Sequence, residues 1–311
     1  MNMMVAIQEA FSLSLDPSRS MDLLARAMND IGKSCHRVAA GHELQLLTDS
    51  AVVPKRLKGS VMLLGNFDGF HCGHQALLAA ARAEASACGA PLGVMSVEPH
   101  PKQLFAPHSE PFRLSSPTTK RETFSRLGLD FLYSPRFNRA FAGQEPEQFI
   151  DDILVGGLAV SRIVVGRGFR FGKQRRGDVD LLCRFGEQSG FAVTAVDELG
   201  QDGAKYSSTL VRNHLAAGEI DAANALLGGP WSVELGALPG SLRLPGEGSV
   251  SWPVSVLKPA CGEYRVMARQ AETEMSSLGT LAISPTTTSL TLQSSGNLAS
   301  APLIVDFLGR A

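Results

Sequence analysis

Two histidines three residues apart, His71 and His74, are the side chains of this sequence whose type and spacing point most directly to chemistry. Residues three apart on the first turn of a helix share a face, so both imidazoles can point at one bound group. Gly73 between them has no side chain and leaves room for a polyphosphate to approach the backbone. The segment is therefore a candidate site for an anionic ligand.

Three interpretations of this H-x-x-H pattern stay open on the pattern alone. The histidines can be ordinary polar residues at a helix start. They can also be metal ligands together with Cys72, but the other cysteines and histidines show no C-x-x-C or H-E-x-x-H spacing that would complete such a site. The third interpretation is a cradle for nucleotide phosphates, without the Walker signature of the usual ATPases and kinases.

The elements around the histidines favour the phosphate cradle. Val61–Leu64 is a short apolar run typical of a buried strand, and Gln75–Ala87 is rich in Ala and Leu at helical spacing. Between them, Gly65–Gly69 carries two glycines around Asn66 and Asp68 and predicts a tight turn. Such a strand-loop-helix unit leaves unpaired N–H groups and a partial positive charge at the helix start, which suit phosphate.

A second stretch, KYSSTLVR at Lys205–Arg212, combines hydroxyl and basic side chains at a predicted helix start. Two serines and a threonine at such a place are typical of an N-cap. The same hydroxyls and N–H groups can bind phosphate, and Arg212, about one turn further on, can add a charge-assisted contact. The cap and the phosphate site are compatible with each other.

Four blocks of the sequence, in order, resemble one known family. GNFDGFHCGHQALL resembles the signature G-x-F-D-G-x-H-x-G-H of the FMN adenylyltransferase module of bacterial bifunctional riboflavin kinase/FAD synthetases, which are members of the nucleotidyltransferase superfamily. The segments Val97–Phe105, Leu154–Asp178 and Tyr206–Trp231 each resemble a later block of that module. The resemblance covers about residues 44–231.

The resemblance implies adenylyl transfer, in which the phosphate of FMN attacks the α-phosphorus of ATP and pyrophosphate leaves. Such a displacement needs no protein nucleophile and depends on positioning and charge neutralisation. The implied catalytic residues, which would stabilise the phosphates and hold pyrophosphate, are His71, His74, Lys205, Ser208, Thr209 and Arg212. The implied binding residues are Gly65, Asn66, Phe67, Asp68, Gly73, Gly166, Phe169, Phe171 and Ser207. Mg²⁺ is expected as the cofactor that bridges phosphate oxygens, and no protein metal site is predicted.

Two positions depart from the family pattern. In the block GRGFRFGKQ, the family usually has Asp or Asn where this chain has Gly168, a position expected to make a polar contact in the site. Lys205 stands where many members have Arg, so a point charge replaces a bidentate fork. Beside FAD synthesis, these departures leave a second hypothesis: a catalytically impaired regulator of the same fold that binds flavin or nucleotide.

Composition is compatible with a protein that binds small molecules. A net charge of -1 and a pI of about 6.7 predict no general attraction to nucleic acid or to an anionic membrane. Five cysteines without regular spacing favour a reducing compartment, and no apolar run approaches the length of a membrane span. We expect a cytoplasmic protein whose partners are ATP and FMN, with no nucleic acid or membrane partner; the sequence does not indicate whether it has a protein partner.

The elements that must position these residues alternate between strand and helix. Apolar runs predict strands at Val61–Leu64, Leu92–Val97, Phe131–Tyr133, Ile163–Val165 and Ala192–Val196. Helices are predicted at Gln75–Ala87, Thr118–Leu127, Pro146–Leu154, Val179–Glu187 and Ser208–Ala217. This order predicts an α/β fold with a Rossmann-like, doubly wound parallel sheet, in which ligands bind beyond the carboxyl ends of the strands.

We predict three parts along the chain. They are an N-terminal extension at 1–43 with a short helix at Asp22–Ile31, a nucleotidyltransferase domain at 44–231, and a small β-rich domain at 232–311. Strands of the last part are predicted at Ser251–Val256, Glu263–Ala268, Gly279–Ile283, Ser289–Leu292 and Leu303–Phe307. The resemblance implies a degenerate riboflavin kinase barrel there, without the G-x-P-T-A-N block and catalytic Glu of that kinase. We therefore expect no riboflavin kinase activity.

Overall fold

The computed structural model of the protein describes residues 43–201, 204–237, 246–270, 276–293 and 302–311. The helix predicted at Asp22–Ile31 lies outside these residues. Within them, no helix combines the length and the apolar character that crossing a lipid bilayer requires.

Six parallel strands form the central sheet of the first part of the chain. They are β1 (Gln45–Leu47), β2 (Val61–Leu64), β3 (Leu92–Met95), β4 (Phe131–Tyr133), β5 (Arg162–Gly166) and β6 (Ala192–Val196). Their order across the sheet is β1-β4-β3-β2-β5-β6. Because β3 and β5 lie on opposite sides of β2, the strand order reverses between β2 and β5, where such sheets bind ligands. The predicted doubly wound α/β fold is confirmed.

Helices connect these strands and cover the sheet. They are α1 (Cys72–Cys88), α2 (Pro101–Phe105), α3 (Pro117–Arg126), α4 (Arg139–Ala142), α5 (Pro146–Phe149), α6 (Val179–Ser189), α7 (Ser208–Ala217) and α8 (Ile220–Leu227). Successive residues of β2 enter different core clusters: Val61 and Leu63 join residues of α1 and α3, and Met62 joins residues of α5 and α6. Both faces of the strand are therefore buried, which explains its uninterrupted apolar run.

Most predicted elements of this part match the structure to within three residues. The helix predicted at Pro146–Leu154 starts as α5 and continues as a wider π-helical segment at Ile150–Gly157. Several elements were not predicted: β1, α2, α4, α8 and the short hairpin of β7 (Gly200–Gln201) and β8 (Ala204–Lys205). Strand β1 is three residues long and offers too little pattern, and α8 follows α7 directly after the left-handed turn at Gly218.

Six antiparallel strands form a closed barrel in the last part of the chain. They are β9 (Trp231–Ala237), β10 (Gly246–Ser251), β11 (Gly262–Gln270), β12 (Ser276–Ile283), β13 (Thr288–Leu292) and β14 (Leu303–Arg310). Their order is β10-β13-β12-β11-β14-β9, and β9 pairs with β10 to close the barrel. Alternate residues of β11, such as Tyr264 and Val266, are buried in its core. The predicted barrel-like second part is confirmed.

The strand predicted at Ser251–Val256 is wrong, because β10 ends at Ser251. Pro253 follows, and proline cannot donate a hydrogen bond to a β-ladder. Val256 instead forms an isolated parallel bridge with Arg113, far away in the sequence. Strand β9 was not predicted. Its first residue, Trp231, ends the predicted nucleotidyltransferase domain, and the rest of its alternating pattern falls in the next predicted part. The division into 1–43, 44–231 and 232–311 stays a prediction.

The core of the barrel extends beyond its own strands. It includes Val211 and Leu215 of α7, Ile220 and Ala223 of α8, and Leu114 from the connection between α2 and α3. These side chains are almost completely buried. The barrel therefore shares its hydrophobic core with α7, α8 and Leu114, whereas the sheet packs in two separate clusters.

Candidate active site

The loop after β2 is held in one shape by its own aromatic residue. Phe67 has a φ of 48°, a left-handed conformation that is uncommon for a residue with a side chain. Its ring is buried, and a Cβ atom added at Gly65 would meet it at 3.0 Å. Backbone strain of this kind persists only where the surrounding packing fixes it, and it is concentrated at functional sites. The loop Gly65–Gly69 thus presents a fixed backbone at the carboxyl end of β2.

His71 and His74 lie side by side at the start of α1. Their rings are stacked, with centroids 3.7 Å apart, and the Phe67 ring packs edge-on against His74 with centroids 5.0 Å apart. Gly73 has a second reason to lack a side chain, beside the predicted room for a polyphosphate. A Cβ atom at Gly73 would lie 3.1 Å from the His71 ring, so its missing side chain makes room for the imidazole. The structure brings both histidines together at the predicted place.

Cys72 contacts helix α8 rather than the histidine rings. Its Sγ lies 3.7 Å from the carbonyl oxygen of Ala225, and burial raises the pKa of the thiol. A metal ligand needs the opposite, a stabilised thiolate. Among the residues that the structure describes, no group of three or more His, Cys, Asp or Glu side chains is placed to hold a metal ion. The structure therefore gives the metal interpretation of this pattern no support.

Both imidazoles are neutral at neutral pH. Burial, followed by the charges of Lys205 and Arg212, lowers the pKa of His71 to about 4. Burial, followed by the neighbouring His71, lowers the pKa of His74 well below its usual value. Within the described part of the chain, the Nδ1 atoms of both rings are buried and have no hydrogen-bond partner. The pair can therefore interact with a ligand as neutral hydrogen-bonding groups rather than as cations.

We expect the free energy of unfolding to fall as the pH is lowered from about 6.5 to 4. His71 is protonated near pH 6.5 in the unfolded chain but only near 4 in the folded protein, so protons favour the unfolded state between these values. This contribution is complete above pH 6.5, and its loss by pH 4 is about 3 kcal/mol. The pKa of His74 is shifted in the same direction. Urea titrations at several pH values would measure the fall, and His71→Gln should make it shallower; an equal slope in both proteins would contradict the assignment.

Helix α7 begins at Ser208, as predicted, and Ser207 is its N-cap. The Oγ of Ser207 accepts a hydrogen bond of 3.2 Å from the backbone N–H of Leu210. The Oγ of Ser208 donates a hydrogen bond of 2.7 Å to the carbonyl oxygen of Asp68, which joins the two predicted phosphate-binding segments. Thr209, in contrast, is exposed and lines neither of the two cavities described below.

Asp68 and Arg212 form an ion pair under the loop. The Nη2 atom of Arg212 lies 2.6 Å from Oδ2 of Asp68, whose side chain is only 2% exposed. The same carboxylate accepts hydrogen bonds from the backbone N–H groups of Leu114 and Ser115. The Nε atom of Arg212 donates to the carbonyl oxygen of Phe112 at 2.6 Å. Both predicted ligand-binding side chains therefore contact the protein itself, and they fix the shape of the loop.

Lys205, the other predicted cation, pairs with Glu198 at the rim of the site. Both side chains are about half exposed, so water screens the pair and it adds little to stability. A Cβ atom at Gly168 would lie 3.1 Å from Oε1 of Glu198. The carboxylate of Glu198 therefore lies beside the position where the family pattern has a polar side chain.

Two cavities meet at the carboxyl ends of β2 and β5. The first, of about 270 Å³, is lined by the residues of both predicted phosphate-binding segments, including His71, His74, Gly73, Lys205, Ser207 and Ser208. The second, of about 590 Å³, has polar residues such as Arg170 and Gln174 in its lining, together with six phenylalanine rings: Phe105, Phe137, Phe141, Phe149, Phe169 and Phe171. Four residues line both cavities: Leu64, Gly65, Gly168 and Phe169. A cavity that contains both histidines and a cavity rich in phenylalanine thus share one boundary.

The loop after β5 supplies part of that boundary. The rings of Phe169 and Phe171 are stacked at an interplanar angle of 16°, with centroids 5.7 Å apart. Phe171 also packs against Phe149. Gly166 lines the first cavity, and Asn66 lines the second. The predicted binding residues are therefore divided between two adjoining cavities.

A buried network that no sequence motif predicted holds the loop Gly65–Gly69 from its other side. The Nζ atom of Lys120 donates to the Asn66 carbonyl oxygen and to Oε1 of Glu98, each at 3.0 Å. Arg113 holds the same Glu98 through two hydrogen bonds of 2.6 and 2.8 Å. Burial alone would raise the pKa of Glu98, but Arg113 and Lys120 outweigh it and leave that pKa below its usual value. Glu98 lies in the segment Val97–Phe105, which resembles a family block, but it was not predicted as a functional residue, and the spacing of that segment does not reveal its partners.

Comparison with known proteins supports the resemblance. A family model described as FAD synthetase matches residues 53–210. The bifunctional riboflavin kinase/FMN adenylyltransferase of Pseudomonas fluorescens is 41% identical over 176 residues, and that of Escherichia coli K12 is 39% identical over 176 residues. Each of these alignments covers 57% of this chain and 56% of the relative. The protein of the same description from Bacillus subtilis is 35% identical over 215 residues, which cover 67% of each chain.

A solved structure shares the whole arrangement of sheet and barrel. The crystal structure of a macrolide-efflux protein from Streptococcus pneumoniae superposes with a TM-score of 0.74. The superposition covers 86% of this chain and 90% of that chain, at 21% sequence identity. Identity at this level shows a common fold alone. The sequence match covers 56% of the length of each of the first two relatives.

Proposed function

The chain belongs to the FAD synthetase family, and from this premise we propose that it transfers the AMP moiety of ATP to FMN, with release of FAD and pyrophosphate. ATP and FMN are then its small-molecule partners, and the cytoplasm, which supplies both, is the proposed compartment. One observation carries the proposal. The site joins a cavity lined by histidines and hydroxyls to a larger cavity rich in phenylalanine, at the point where a doubly wound sheet binds ligands.

The division between the cavities matches the two substrates. The first cavity, with its basic and hydroxyl side chains at two helix starts, suits the phosphates of ATP. The second is large and aromatic enough for a planar, ring-containing ligand such as the flavin of FMN. The shared boundary at Gly65 and Gly168 is then the place where the phosphate of FMN meets the α-phosphate of ATP.

The reaction needs little covalent chemistry from the protein. An oxygen of the FMN phosphate forms a bond to the α-phosphorus of ATP, while the bond from that phosphorus to the oxygen bridging to the β-phosphate breaks. The electron pair of the broken bond leaves with pyrophosphate. A phosphate monoester is largely ionised at neutral pH, so no general base is required. Positioning and stabilisation of the developing charge account for the acceleration.

The described side chains divide this work between direct contact and positioning. His71 and His74 would donate N–H hydrogen bonds to phosphate oxygens. A neutral imidazole already carries one N–H, so neither ring has to be protonated to do so. Lys205, released from Glu198, and the backbone N–H of Ser208 would contact the leaving pyrophosphate, since the hydroxyl of Ser208 already donates to the carbonyl oxygen of Asp68. Arg212 would act mainly through Asp68, because its guanidinium already holds that carboxylate. Thr209 has no proposed contact, since it lines neither cavity.

Mg²⁺ fits this site as a companion of ATP rather than as a resident ion. The first cavity is lined by two carboxylates, Asp197 and Glu198, and Mg²⁺ bound to a nucleotide takes most of its ligands from phosphate oxygens and water. The ion, when bound, neutralises phosphate charge. Of the two, Glu198 lies closer to the proposed reaction centre, because it adjoins Gly168.

The decisive experiment is incubation of the purified chain with ATP, Mg²⁺ and FMN, followed by chromatographic separation of FAD. We expect FAD and pyrophosphate in equal amounts. The second candidate function, a flavin- or nucleotide-binding regulator, is favoured by the glycine at position 168. If no FAD forms at protein concentrations comparable to the substrates, the regulator replaces the enzyme, and calorimetry with FMN and with ATP tests whether either ligand still binds.

We expect Gly168→Asn to raise kcat for FAD formation by about threefold to tenfold, because it adds a hydrogen-bonding group where the cavities meet. The new side chain should be accommodated, since the atom it would meet, Oε1 of Glu198, ends a flexible and half-exposed side chain. Steady-state kinetics would measure the change. Gly190→Asn, at the open C-terminal end of α6, is the matched control and should leave kcat unchanged. An unchanged kcat in Gly168→Asn would mean that Glu198 already supplies the polar group.

We expect the chain to form no FMN from riboflavin and ATP. An alcohol is a poor nucleophile without a base, so a kinase needs a free carboxylate beside the hydroxyl. Two carboxylates of the described barrel strands are engaged elsewhere: Asp306 pairs with Arg269, and Glu234 accepts a hydrogen bond from Ser116. Incubation with riboflavin, ATP and Mg²⁺ should give no FMN above a protein-free control. Formation of FMN at enzymatic rates would show that the barrel is a working kinase.

A further inference from the structure

A short segment between α2 and α3, Phe112–Ser116, lies between the nucleotide loop and the barrel. We call it the strap. It contains no predicted site residue, and no motif in the sequence pointed to it. Its backbone and side chains nevertheless contact both neighbours through hydrogen bonds.

On its inner side, the strap holds the loop that follows β2. The carboxylate of Asp68 accepts hydrogen bonds from the N–H groups of Leu114 at 3.0 Å and Ser115 at 3.2 Å. The N–H of Gly69 donates to Oγ of Ser115 at 3.3 Å. Gly69 also has a φ of +62°, and a Cβ atom there would collide with Leu114 at 2.5 Å. The strap and the loop are therefore joined by hydrogen bonds from the backbone of each segment to a side chain of the other, and the Leu114 side chain packs against Gly69.

A second connection runs through the strap to the other end of the same loop. The guanidinium of Arg113 holds Glu98, Glu98 accepts from Lys120, and Lys120 donates to the carbonyl oxygen of Asn66. The side chains of Arg113 and Lys120 are each 3% exposed. Removing one member of a buried, charged network leaves its partners buried without a hydrogen-bond partner, which lowers the free energy of unfolding. The position of the strap thus fixes the loop at both Asn66 and Asp68.

On its outer side, the strap is attached to the barrel. The N–H of Arg113 donates to the carbonyl oxygen of Ser255 at 3.1 Å, and the N–H of Leu257 donates to the carbonyl oxygen of Arg113 at 2.8 Å. The indole Nε1 of Trp231, the first residue of β9, donates to the carbonyl oxygen of Leu114 at 2.8 Å. Both backbone groups of Arg113 and the carbonyl of Leu114 are therefore bonded to the barrel.

We propose that the barrel acts in this protein as a support for the nucleotide loop, and that Trp231 is a positioning residue for adenylyl transfer. The barrel holds the strap, the strap holds Asp68 and Asn66, and the loop between them leads directly into His71 and His74. Only the kinetic part of this inference rests on the proposed function. The mechanical part, from Trp231 to the loop, is independent of any substrate.

The test is amide hydrogen exchange on the full-length protein with Trp231→Phe, which keeps an aromatic ring and removes the N–H donor. We expect exchange in a peptide covering residues 65–74 to become about tenfold faster, because the buried Leu114 carbonyl loses its partner. Tyr264→Phe is the matched control. Its hydroxyl donates to Ala260 within the barrel, so its loss should leave residues 65–74 unchanged. Faster exchange confined to the barrel in Trp231→Phe would overturn the proposal.

A milder variant covers the case in which Trp231→Phe does not fold. Glu234→Ala removes the acceptor of a 3.0 Å hydrogen bond from Ser116 of the strap and leaves the barrel core intact. We expect about threefold faster exchange in residues 65–74, and unchanged exchange there would refute the support role. For the folded variants, kcat for FAD formation should fall by about tenfold in Trp231→Phe and by about threefold in Glu234→Ala, matching the changes in exchange. It should stay unchanged in Tyr264→Phe. If the unmodified chain makes no FAD, the proposed function fails while the exchange result still decides this inference.

Discussion

His71→Ala and His74→Ala are each expected to lower kcat for FAD formation by about tenfold to a thousandfold, because a preorganised hydrogen-bond donor at a reacting group contributes about 2 to 4 kcal/mol to catalysis. The two rings are stacked with centroids 3.7 Å apart and line the first cavity, so neither can replace the other without moving. Their low pKa values keep them neutral, and we therefore expect no loss of activity between pH 6 and 8 from their titration.

The matched control for these variants is His214→Ala. His214 lies in the last turn of α7 and pairs with Glu219 outside both cavities, so its loss should leave kcat unchanged. Circular dichroism and thermal unfolding would check that the variants are folded. Two outcomes would contradict the phosphate role: full activity in either active-site variant, or stoichiometric zinc in the purified protein that disappears in both.

Asp68→Ala is expected to lower the free energy of unfolding by about 3 to 5 kcal/mol, the usual cost of removing one partner of a buried ion pair. The change leaves the guanidinium of Arg212 without its carboxylate and two N–H groups, those of Leu114 and Ser115, without an acceptor. Urea-induced unfolding of the full-length protein would measure the loss.

A second ion pair provides the comparison for Asp68→Ala. Asp197 pairs with Arg167 at the surface, where both side chains are exposed, so Asp197→Ala should leave the urea midpoint unchanged. The double variant Asp68→Ala with Arg212→Met should recover part of the stability, because it removes the uncompensated charge as well. Equal effects of Asp68→Ala and Asp197→Ala would show that the Asp68 pair is not buried as described.

The parts of the fold that could be predicted are those in which local sequence agrees with the final environment. The apolar run Val61–Leu64 is buried on both faces. Ser207 caps the N-terminal end of α7, and Gly218 ends the helix in the left-handed conformation. The stacked histidines also follow from local geometry, since they are three positions apart at the start of α1. In each case the physical cause lies within a few residues of its effect.

What could not be predicted depends on partners that are distant in the sequence. Asp68 meets Arg212 across 144 residues, and Arg113 bonds to the loop around Val256, so no spacing rule reveals either contact. The segment after Ser251 has the composition of a strand, but its pairing partner belongs to the strap rather than to the barrel. Thr209 fits the phosphate-binding pattern of its block, but the orientation of its side chain depends on how α7 packs.

The hydrophobic core shared by the barrel, α7 and α8 has an evolutionary consequence. If the barrel were deleted, side chains such as Val211, Leu215 and Ile220 would be exposed to water, at about 1.5 to 3 kcal/mol for each large apolar side chain. Selection can therefore erase the chemistry of the barrel while preserving its inward-facing residues. In descendants of such a chain, substitutions should accumulate in the barrel's loops and on its outer face, whereas truncations before β9 should be eliminated.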